Sequence, residues 1–416
     1  MFLRRIFNIL LYVFVMIVPV MPLKSKIKGI PMAPDFIIGG LLILTGFLIL
    51  VTHFKDTVDE LRKLLKNRYM VILTVLIVLF GMLSVVSIIY AGSKSLAISE
   101  TLRFAEYVLI FYFILLYCGK REIKNICILF LVTFLAAGFY GFAQFALGTS
   151  EFDNFELLAG RGRVYATFVN PNYWGAAVNL VIYIPVCVIL EKNRYGKEYK
   201  IAAAIYFLVM LSNLILSFTK GSWIGFAIGA FIIFIIRYKK GLLYLIGGTG
   251  LLACSGKIRR YFIGALTAET NSLTTRITLW KTGLKMFKEH ILTGVGNGNY
   301  NYYYDQYVTK YPELYMGLCV YTVHNSYLKM FAELGIFGGL LFIAMYMMVA
   351  GITVKVYRNS KGYLKILALA FIGFWGAYLF QNFFNNLMFI PQLNVFAWIM
   401  SAALYKYYIL ENGERA

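Results

Sequence analysis

The sequence predicts an all-α polytopic membrane protein, and two observations carry this prediction. Hydrophobic residues make up 60% of the 416 residues and aromatic residues 17%, well above the values typical of soluble domains. Apolar runs of about 18–25 residues, each long enough to cross a bilayer, recur along the whole chain. No soluble core could absorb so many such helices, so we expect one integral membrane domain over 1–416.

The apolar runs predict about twelve transmembrane helices. We place them near 6–20, 34–52, 69–91, 102–117, 123–147, 172–190, 201–218, 221–236, 241–254, 325–353, 364–386 and 392–410. The first run follows Arg4 and Arg5 and has no small-residue cleavage site. We therefore interpret it as a retained anchor and not as a signal peptide.

The net charge of +21 is explained by the loops better than by nucleic-acid binding. With the N-terminus in the cytoplasm, inside segments hold 23 of the 40 Lys and Arg residues, and short outside loops hold 8. Cytoplasmic loops carry this excess in membrane proteins, and long loops are exempt from the rule. We expect both termini in the cytoplasm and the long segment 255–324 outside, as an extracytoplasmic loop.

The loop 255–324 contains a predicted amphipathic helix over TTRITLWKTGLKMFKEHIL. Its apolar residues recur at spacings of three and four and form one helical stripe, while its lysines lie on another face. The stripe consists of Ile277, Trp280, Leu284, Phe287 and Ile291. Such a helix would rest in the membrane interface. The glycines and asparagines of the following LTGVGNGNYNYYYDQY predict a loop.

Polar residues adjoin four helix ends on the predicted outside face. They are Arg161 and Arg163 in the stretch GRGRVYATFVNPN, Lys220 in LSFTKG, Arg276 at the start of the amphipathic helix, and His324 with Asn325. Several cations on one side of a membrane would suit a polyanion at the lipid surface, because arginine binds phosphate oxygens in a bidentate manner. Snorkelling of Lys220 and ordinary solvation of Arg163 and Arg276 remain open alternatives.

His324 is one of only three histidines in the chain and opens a predicted helix. Its unperturbed pKa of about 6.5 makes it the natural base near neutral pH. A satisfied interfacial histidine is the alternative. In the segment Asn170-Pro171-Asn172 we favour an N-cap followed by proline at the first helical position over direct contact with a substrate.

Eight tyrosines between residues 300 and 321, ending with Tyr321, form a dense cluster. An aromatic belt at the interface and a stacking floor for sugar rings explain this cluster equally well. The chain has no D-x-D triplet, no Walker loop and no Cys-x-x-Cys spacing. We therefore expect no metal site and no cofactor.

The ordered motifs resemble those of the O-antigen ligase / O-antigen polymerase family of bacterial envelope glycosyltransferases, which also includes protein O-oligosaccharyltransferases. The likeness lies in GRVYATFVNPN, LSFTKG, TTRITLWKTGLKMFKEHILTGVGNGNY and HNSYLKMFAELGIFGG, over about residues 160–340. The helix layout, with one large outside loop before the histidine, extends the resemblance to the whole chain.

The resemblance implies transfer of a glycan from undecaprenyl diphosphate to an acceptor hydroxyl, with inversion and without metal or nucleotide. It places this reaction at the outer face of the bacterial cytoplasmic membrane. The family's loop arginine falls on Arg276 and its histidine on His324. Thr219-Lys220-Gly221 stands where the family usually has Ser-Arg-Gly. Lys220 therefore keeps the positive charge of the arginine but lacks the guanidinium that can bind phosphate in a bidentate manner.

Together these expectations assign a role to each candidate residue. Arg276, Lys220 and Arg163 would neutralise the departing diphosphate. His324 would accept the proton of the acceptor, and Asn325 would orient the ring or the sugar. Arg161 and Tyr321 complete the expected substrate-binding set.

The acceptor is open: a second lipid-linked chain, a lipid A core or a protein hydroxyl. A lipid-linked sugar flippase or transporter is the rival class, and twelve helices fit it. Transporters show charged groups inside helices or broken helices in two related halves. The predicted helix interiors are nearly free of charge and the halves look unrelated, which favours the enzyme.

Overall fold

The structure is a computed structural model that describes residues 2–21, 26–27, 30–31, 34–148, 156–157, 161–192, 194–239, 256, 270–317 and 322–413. Over these residues the chain forms fifteen α-helices, two 3₁₀ turns and two hairpins of two-residue strands. The predicted all-α class is confirmed.

The first ten helices come before the long loop. They are α1 (Phe2–Ile17), α2 (Pro34–Thr52), α3 (Phe54–Leu65), α4 (Arg68–Tyr90), α5 (Lys94–Tyr117), α6 (Lys120–Leu147), α7 (Pro171–Val181), α8 (Tyr183–Leu190), α9 (Lys197–Leu216) and α10 (Lys220–Arg237). The loop and the C-terminal part supply α11 (Thr270–Glu289), α12 (Tyr300–Lys310), α13 (Ser326–Asn359), α14 (Gly362–Gln381) and α15 (Pro391–Gly413). Strands β1 (Lys26–Ile27) and β2 (Ile30–Pro31) pair antiparallel, as do β3 (Glu156–Leu157) and β4 (Arg161–Gly162).

Nine stretches within the described residues are long and apolar enough to cross a membrane. They correspond to nine of the predicted helices, so the predicted count of twelve is not confirmed. The N-terminal helix α1 has only 16 residues, and α5 carries Lys94, Glu100, Arg103 and Glu106 along its length. The predicted helix 241–254 lies outside the described residues.

Two local predictions differ from the structure. The segment after the second span forms the charged, amphipathic helix α3, where only a loop was expected. The predicted helix 172–190 is divided into α7 and α8 at Ile182. Pro185 accounts for the break, because it lacks the N–H that would bond the carbonyl of residue 181 in a continuous helix.

The predicted amphipathic helix is confirmed as α11, but its buried face is not the predicted apolar stripe. Leu279, Thr282 and Met286 are fully buried, whereas Ile277 and Leu284 are 41% and 44% exposed. The buried face packs on α12 and α13 within the protein. Ile277, Leu284 and Ile291 of the stripe thereby stay available to a lipid surface, whereas its Trp280 and Phe287 pack against Phe384 and Phe331.

The predicted loop LTGVGNGNYNYYYDQY is wrong in its second half, because α12 begins at Tyr300. Tyr300 and Tyr304 are fully buried and Tyr307 nearly so, which puts one face of α12 into a small second core. Their spacing of four and three is the helical signal that the glycines and asparagines before it masked.

The glycine-rich turn before α12 is bound to the α4–α5 hairpin. Tyr90 donates its hydroxyl to the carbonyl of Thr293 at 2.6 Å, and the side chain of Asn299 exchanges two hydrogen bonds with the backbone of Ser93. Gly296, at φ 101°, lies so close to Ala91 that a Cβ would stand 2.7 Å from the alanine methyl. This turn therefore needs glycine, both for its backbone conformation and for close approach.

A buried carboxylate joins the same turn to α13. Glu333 is fully buried and accepts hydrogen bonds from the backbone N–H groups of Gly298 and Tyr300 and from the ammonium of Lys329, at 2.6–3.0 Å. Two residues later α13 kinks at Gly335, whose φ of 67° interrupts the helix. The kink lets the α11–α12 turn dock against the backbone of α13.

Candidate functional site

The candidate site is built at the end of the bundle where α7, α10 and α13 begin and α14 ends. Asn170 caps α7, accepting from the N–H of Asn172 at 2.8 Å, and Pro171 is the first helical residue. The favoured interpretation of the Asn-Pro-Asn segment is thus confirmed. Thr219 precedes α10, which begins at Lys220. A helix N-terminus carries a partial positive charge, so three such ends favour an anion.

Arg163 is buried, with 8% of its side chain exposed, and it bridges two of the predicted polar segments. Its Nε donates to the carbonyl of Ser217 at 3.0 Å, and its Nη2 donates to the side chain of Asn172 at 3.4 Å. The guanidinium therefore fixes the turn before α10 against the start of α7. For Arg161 the structure describes the backbone in β4 and not the side chain.

Lys220 lies at the first position of α10, after the tight turn Ser217–Thr219 that the sequence predicts. The hydroxyls of Ser217 and Thr219 are 2.8 Å apart and hydrogen-bonded. Thr219 also packs on α7 so closely that a Cβ on Gly175 would lie 2.3 Å from its Oγ1. This packing fixes where the Lys220 ammonium emerges.

His324 precedes α13 and is largely buried. The N-cap is the next residue, Asn325, whose side chain accepts from the N–H groups of Tyr327 and Leu328 at 3.1 and 3.0 Å. The expected role of Asn325 in orienting the imidazole is filled by another residue. The side chain of His324 is hydrogen-bonded to that of Asn385, from the segment that follows α14.

Asn385 belongs to a cluster of amide side chains at the end of α14 that sequence reasoning missed. Ser326 donates its hydroxyl to Oδ1 of Asn382 at 2.6 Å, and Ser222 donates to Oε1 of Gln381 at 3.0 Å. These bonds join the end of α14 to the starts of α13 and α10. The signal was present in the sequence as QNFFNN at the end of an apolar run, a concentration of amides where a span leaves the membrane.

The amide cluster brings the histidine close to the lysine turn. A Cβ on Gly221, the residue after Lys220, would lie 3.9 Å from Nδ2 of Asn385. Asn385 thus contacts His324 on one side and the first turn of α10 on the other. Lys220 and His324 lie far apart in the sequence, and Asn385 lies between the imidazole and the residue that follows Lys220.

Arg276 approaches the same place from α11. Its positive charge acts on His324, and one turn further along α11 the ring of Trp280 lies 5.9 Å from that of Phe384. Trp280 therefore packs against the residue next to Asn385. The structure brings His324 near Arg276 and near the turn that carries Lys220.

The pKa of His324 is lowered to about 4. Burial is the largest cause, since it penalises the charged imidazolium, and the charge of Arg276 adds to it. The hydrogen bond to Asn385 acts in the opposite direction. At neutral pH the imidazole is therefore uncharged and able to accept a proton.

The backbone around the site is strained. The four described residues other than glycine that have a positive φ are Ala166, Val169, Phe218 and His324. All four lie in the segments that lead into α7, α10 and α13. A positive φ is unfavourable for residues other than glycine, above all for the β-branched Val169. Such backbone strain concentrates at functional sites.

Two buried polar atoms near the segment that contains Asn385 have no hydrogen-bond partner among the described residues. They are Nε1 of Trp280, a donor, and Oδ1 of Asn386, an acceptor. The amide nitrogen of Asn386 donates to the hydroxyl of Thr322, so only the amide oxygen lacks a partner among the described residues. Buried polar groups are nearly always paired, so this donor and acceptor suit a polar ligand.

Most of the described tyrosines of the predicted cluster serve the small core and the fold. Tyr300 donates to the carbonyl of Leu279, and Tyr307 and Tyr311 both donate to the carboxylate of Glu289. Tyr302 and Tyr315 remain exposed. Tyr321 lies outside the described residues. Within the described residues, no three His, Cys, Asp or Glu side chains come together as metal ligands would.

Residues 205–343 match the profile of a protein family described as O-antigen ligase. This match confirms the resemblance that the sequence motifs indicated, over the segment that contains Lys220, Arg276, His324 and Asn325. Arg161, Arg163 and the amide cluster after α14 lie outside the matched residues. A search of curated proteins finds no match to the chain.

Proposed function

We propose, taking the O-antigen ligase match as the premise, that the protein is an inner-membrane glycosyltransferase. It transfers a glycan from undecaprenyl diphosphate to an acceptor hydroxyl at the outer face of the membrane, with inversion and without a metal. The family match and the nine apolar helices support a multi-pass membrane glycosyltransferase. The observation that carries the finer proposal is an uncharged, buried His324 beside Arg276 and the Lys220 turn.

The diphosphate would occupy the positive end of the site. Arg276 and the ammonium of Lys220 supply full charges, and the N-termini of α7, α10 and α13 supply partial ones. Arg163 is committed to Ser217 and Asn172, so we assign it to positioning the Lys220 turn. Preorganised charges of this kind usually lower such a barrier more than any other single effect.

The transfer itself requires a base and a leaving group. The acceptor oxygen forms a bond to the anomeric carbon while the bond from that carbon to the diphosphate oxygen breaks, and the electron pair leaves with the diphosphate. Attack from the face opposite the leaving group inverts the anomeric configuration. The unprotonated nitrogen of His324 takes the hydroxyl proton, a contribution of about 10²–10⁴ in rate.

Binding of the donor would improve the base. A diphosphate beside Arg276 offsets the charge that lowers the pKa of His324, so the pKa rises towards its ordinary value. The histidine thus stays unprotonated in the empty site and becomes a stronger base once the donor is bound.

Trp280 and Asn386 are assigned to the transferred glycan. The indole N–H can donate to a sugar oxygen, and Oδ1 of Asn386 can accept from a sugar hydroxyl. The neighbouring Phe384 ring gives an apolar surface for a sugar face. Donor and acceptor groups beside an aromatic ring are what recognition of a pyranose needs.

The experiment that tests this function uses the purified protein in lipid nanodiscs with a synthetic undecaprenyl-diphosphate oligosaccharide. A second lipid-linked chain, a lipid A core and a serine-containing peptide are supplied separately, with EDTA and without nucleotide. Product from one acceptor identifies a polymerase, a ligase or a protein O-oligosaccharyltransferase respectively. His324→Asn should be inactive, because asparagine tolerates a positive φ but provides no base.

His290→Asn is the matched control, since His290 is exposed at the end of α11 and takes no part in the site. It should keep the activity of the unaltered protein. A fully active, folded His324→Asn variant would exclude His324 as the base. Transfer of the intact lipid-linked donor across a vesicle membrane, without any glycoside formed, would instead support a flippase. Glu106, a carboxyl group within α5 whose buried Oε1 has no hydrogen-bond partner among the described residues, is the feature that fits that second function.

A further inference from the structure

A second polar cavity lies at the opposite end of the helix bundle. It has a volume of about 710 Å³ and lies between the start of α1, the helix α3, the α5–α6 turn and the last part of α15. Lys406 lies fifteen residues into α15, which at 1.5 Å per residue is about 22 Å from the start of that helix near the candidate site. By the charge distribution of the loops, this is the predicted cytoplasmic end.

The cavity is lined by charged groups of both signs, but its acids are already engaged. Asp59 is paired with Arg62, and Glu60 is hydrogen-bonded to Lys63 at 2.7 Å. Asp56 lies 3.9 Å from His53, and Glu122 accepts from the backbone N–H of Gly119 at 3.0 Å.

The remaining cations of the cavity have no such partner. Among the described residues, Arg4, Arg5 and Lys406 form no ion pair and no hydrogen bond to an acid. Glu60 acts on Lys406 electrostatically, but its carboxylate bonds Lys63. The lining holds four cations and four carboxylates, and Arg4, Arg5 and Lys406 are the cations that are not committed to one of these acids.

Lys406 is the strongest indication of a bound anion, because only 6% of its surface is exposed. A buried ammonium without a partner is costly, and proteins usually pair such a charge. Asn8 adds a second unsatisfied group to the same wall, a buried Oδ1 with no donor among the described residues. Besides its engaged carboxylates, the cavity thus presents three cationic donors and one unsatisfied acceptor, which suit an anion that also carries a hydroxyl or a bound proton.

We propose that this cavity is a binding site for a phosphate-bearing anion, held by Lys406, Arg4 and Arg5. Arginine and lysine form short, strong hydrogen bonds to phosphate oxygens, and a cavity of this size accommodates a small ligand. The phosphate belongs either to the headgroup of an anionic lipid or to a soluble phosphorylated molecule. The proposal does not depend on the transfer reaction at the other end of the bundle.

The test follows the thermal unfolding midpoint of the full-length protein during titration with inorganic phosphate, against chloride at equal ionic strength. Saturable stabilisation is expected for the unaltered chain, with the apparent affinity about tenfold weaker in Lys406→Gln, which corresponds to about 1.4 kcal/mol for the lost charge-assisted bond. Lys361→Gln is the control, because Lys361 is an exposed cation at the start of α14 outside the cavity. It should bind as the unaltered chain does.

A parallel arm distinguishes the two sources of phosphate. The protein is reconstituted with equal amounts of phosphatidylglycerol and phosphatidylcholine and analysed by native mass spectrometry. If the source is a lipid, the unaltered chain should retain bound phosphatidylglycerol and Lys406→Gln should not. Phosphate binding without lipid retention indicates a soluble molecule. If Lys406→Gln does not fold, Arg4→Gln/Arg5→Gln, at exposed positions, takes its place. Absence of both phosphate binding and lipid retention, or equal values in the variant, would overturn the proposal.

Discussion

The imidazole of His324 and the side-chain amide of Asn385 are hydrogen-bonded, and this bond joins the start of α13 to the segment after α14. It holds the ring at a residue whose φ of 52° is unusual for histidine. It is also the one interaction that raises the pKa of His324 against burial and the charge of Arg276. For the proposed base His324, Asn385 is therefore a positioning residue that also raises the pKa of the imidazole.

Opposite changes at Asn385 should move the pH dependence of transfer in opposite directions. Asn385→Ala removes a bond that favours the imidazolium, so the pKa of His324 falls and the acid limb of kcat/KM moves to lower pH. Asn385→Asp places a carboxylate beside the ring, so the limb moves to higher pH. The measurement is kcat/KM from about pH 3 to pH 8. Displacement of both profiles in the same direction would contradict the assignment.

Asn385 shows which features of the site can be predicted from the sequence and which cannot. Hydropathy and charge predict the spans, and the family motifs indicate His324, Arg276 and Lys220, because these signals are local. The contact of Asn385 with both His324 and the Gly221 turn depends on how α10, α13 and α14 pack. Nothing in the local pattern QNFFNN specifies that packing, and Asn325 was given the orienting role because it is the neighbour in sequence.

The burial of His324 should make the protein less stable in acid. Its pKa is about 4 in the folded chain and about 6.5 when unfolded, so the unfolded chain binds more protons between these values. Stability is complete above about pH 6.5 and declines as the pH falls towards about 4, by up to about 3 kcal/mol. Thermal unfolding of the unaltered chain and of His324→Asn, compared at each pH, measures this contribution. Parallel curves would show that His324 does not titrate in this way.

Donor binding should displace the acid limb of the rate profile. The limb of kcat/KM reports His324 in the free protein, and the limb of kcat reports it in the complex. Since the bound diphosphate offsets the charge of Arg276, the second limb is expected at higher pH. In Arg276→Gln the two limbs should come closer together, with a large loss of activity. An unchanged separation in that variant would mean that Arg276 does not mediate the shift.

The ion pair inside α13 should be sensitive to the loss of either partner. Glu333 is fully buried and bonds Lys329 and two backbone N–H groups, so Glu333→Gln leaves a buried ammonium unpaired. The expected loss is about 3–5 kcal/mol. Lys329→Met combined with Glu333→Gln should cost clearly less than the sum of the single changes. Denaturant unfolding in detergent gives the four values; strict additivity would show that the two groups are not coupled.

Recognition of the glycan should depend on Trp280 and Asn386. Trp280→Phe keeps the ring packed near Phe384 and removes only the indole N–H, and Asn386→Leu removes the unsatisfied oxygen. Each change should raise KM for the lipid-linked donor several-fold with a smaller effect on kcat, about 1 kcal/mol per neutral hydrogen bond. Trp375→Phe is the control, since its buried N–H likewise has no hydrogen-bond partner among the described residues but lies deep among the spans. Equal effects at all three positions would indicate packing and not sugar binding.

The attachment of the glycine-rich turn to Tyr90, Ala91 and Ser93 has a consequence for modularity. The profile match begins at residue 205, yet the turn within it rests on the α4–α5 hairpin, more than a hundred positions upstream. The matched segment is therefore not an autonomous module. If the segment were excised or grafted onto another bundle, the glycine-rich turn between α11 and α12 would lose the α4–α5 hairpin to which it is bound. A functional chimaera would therefore have to include that hairpin.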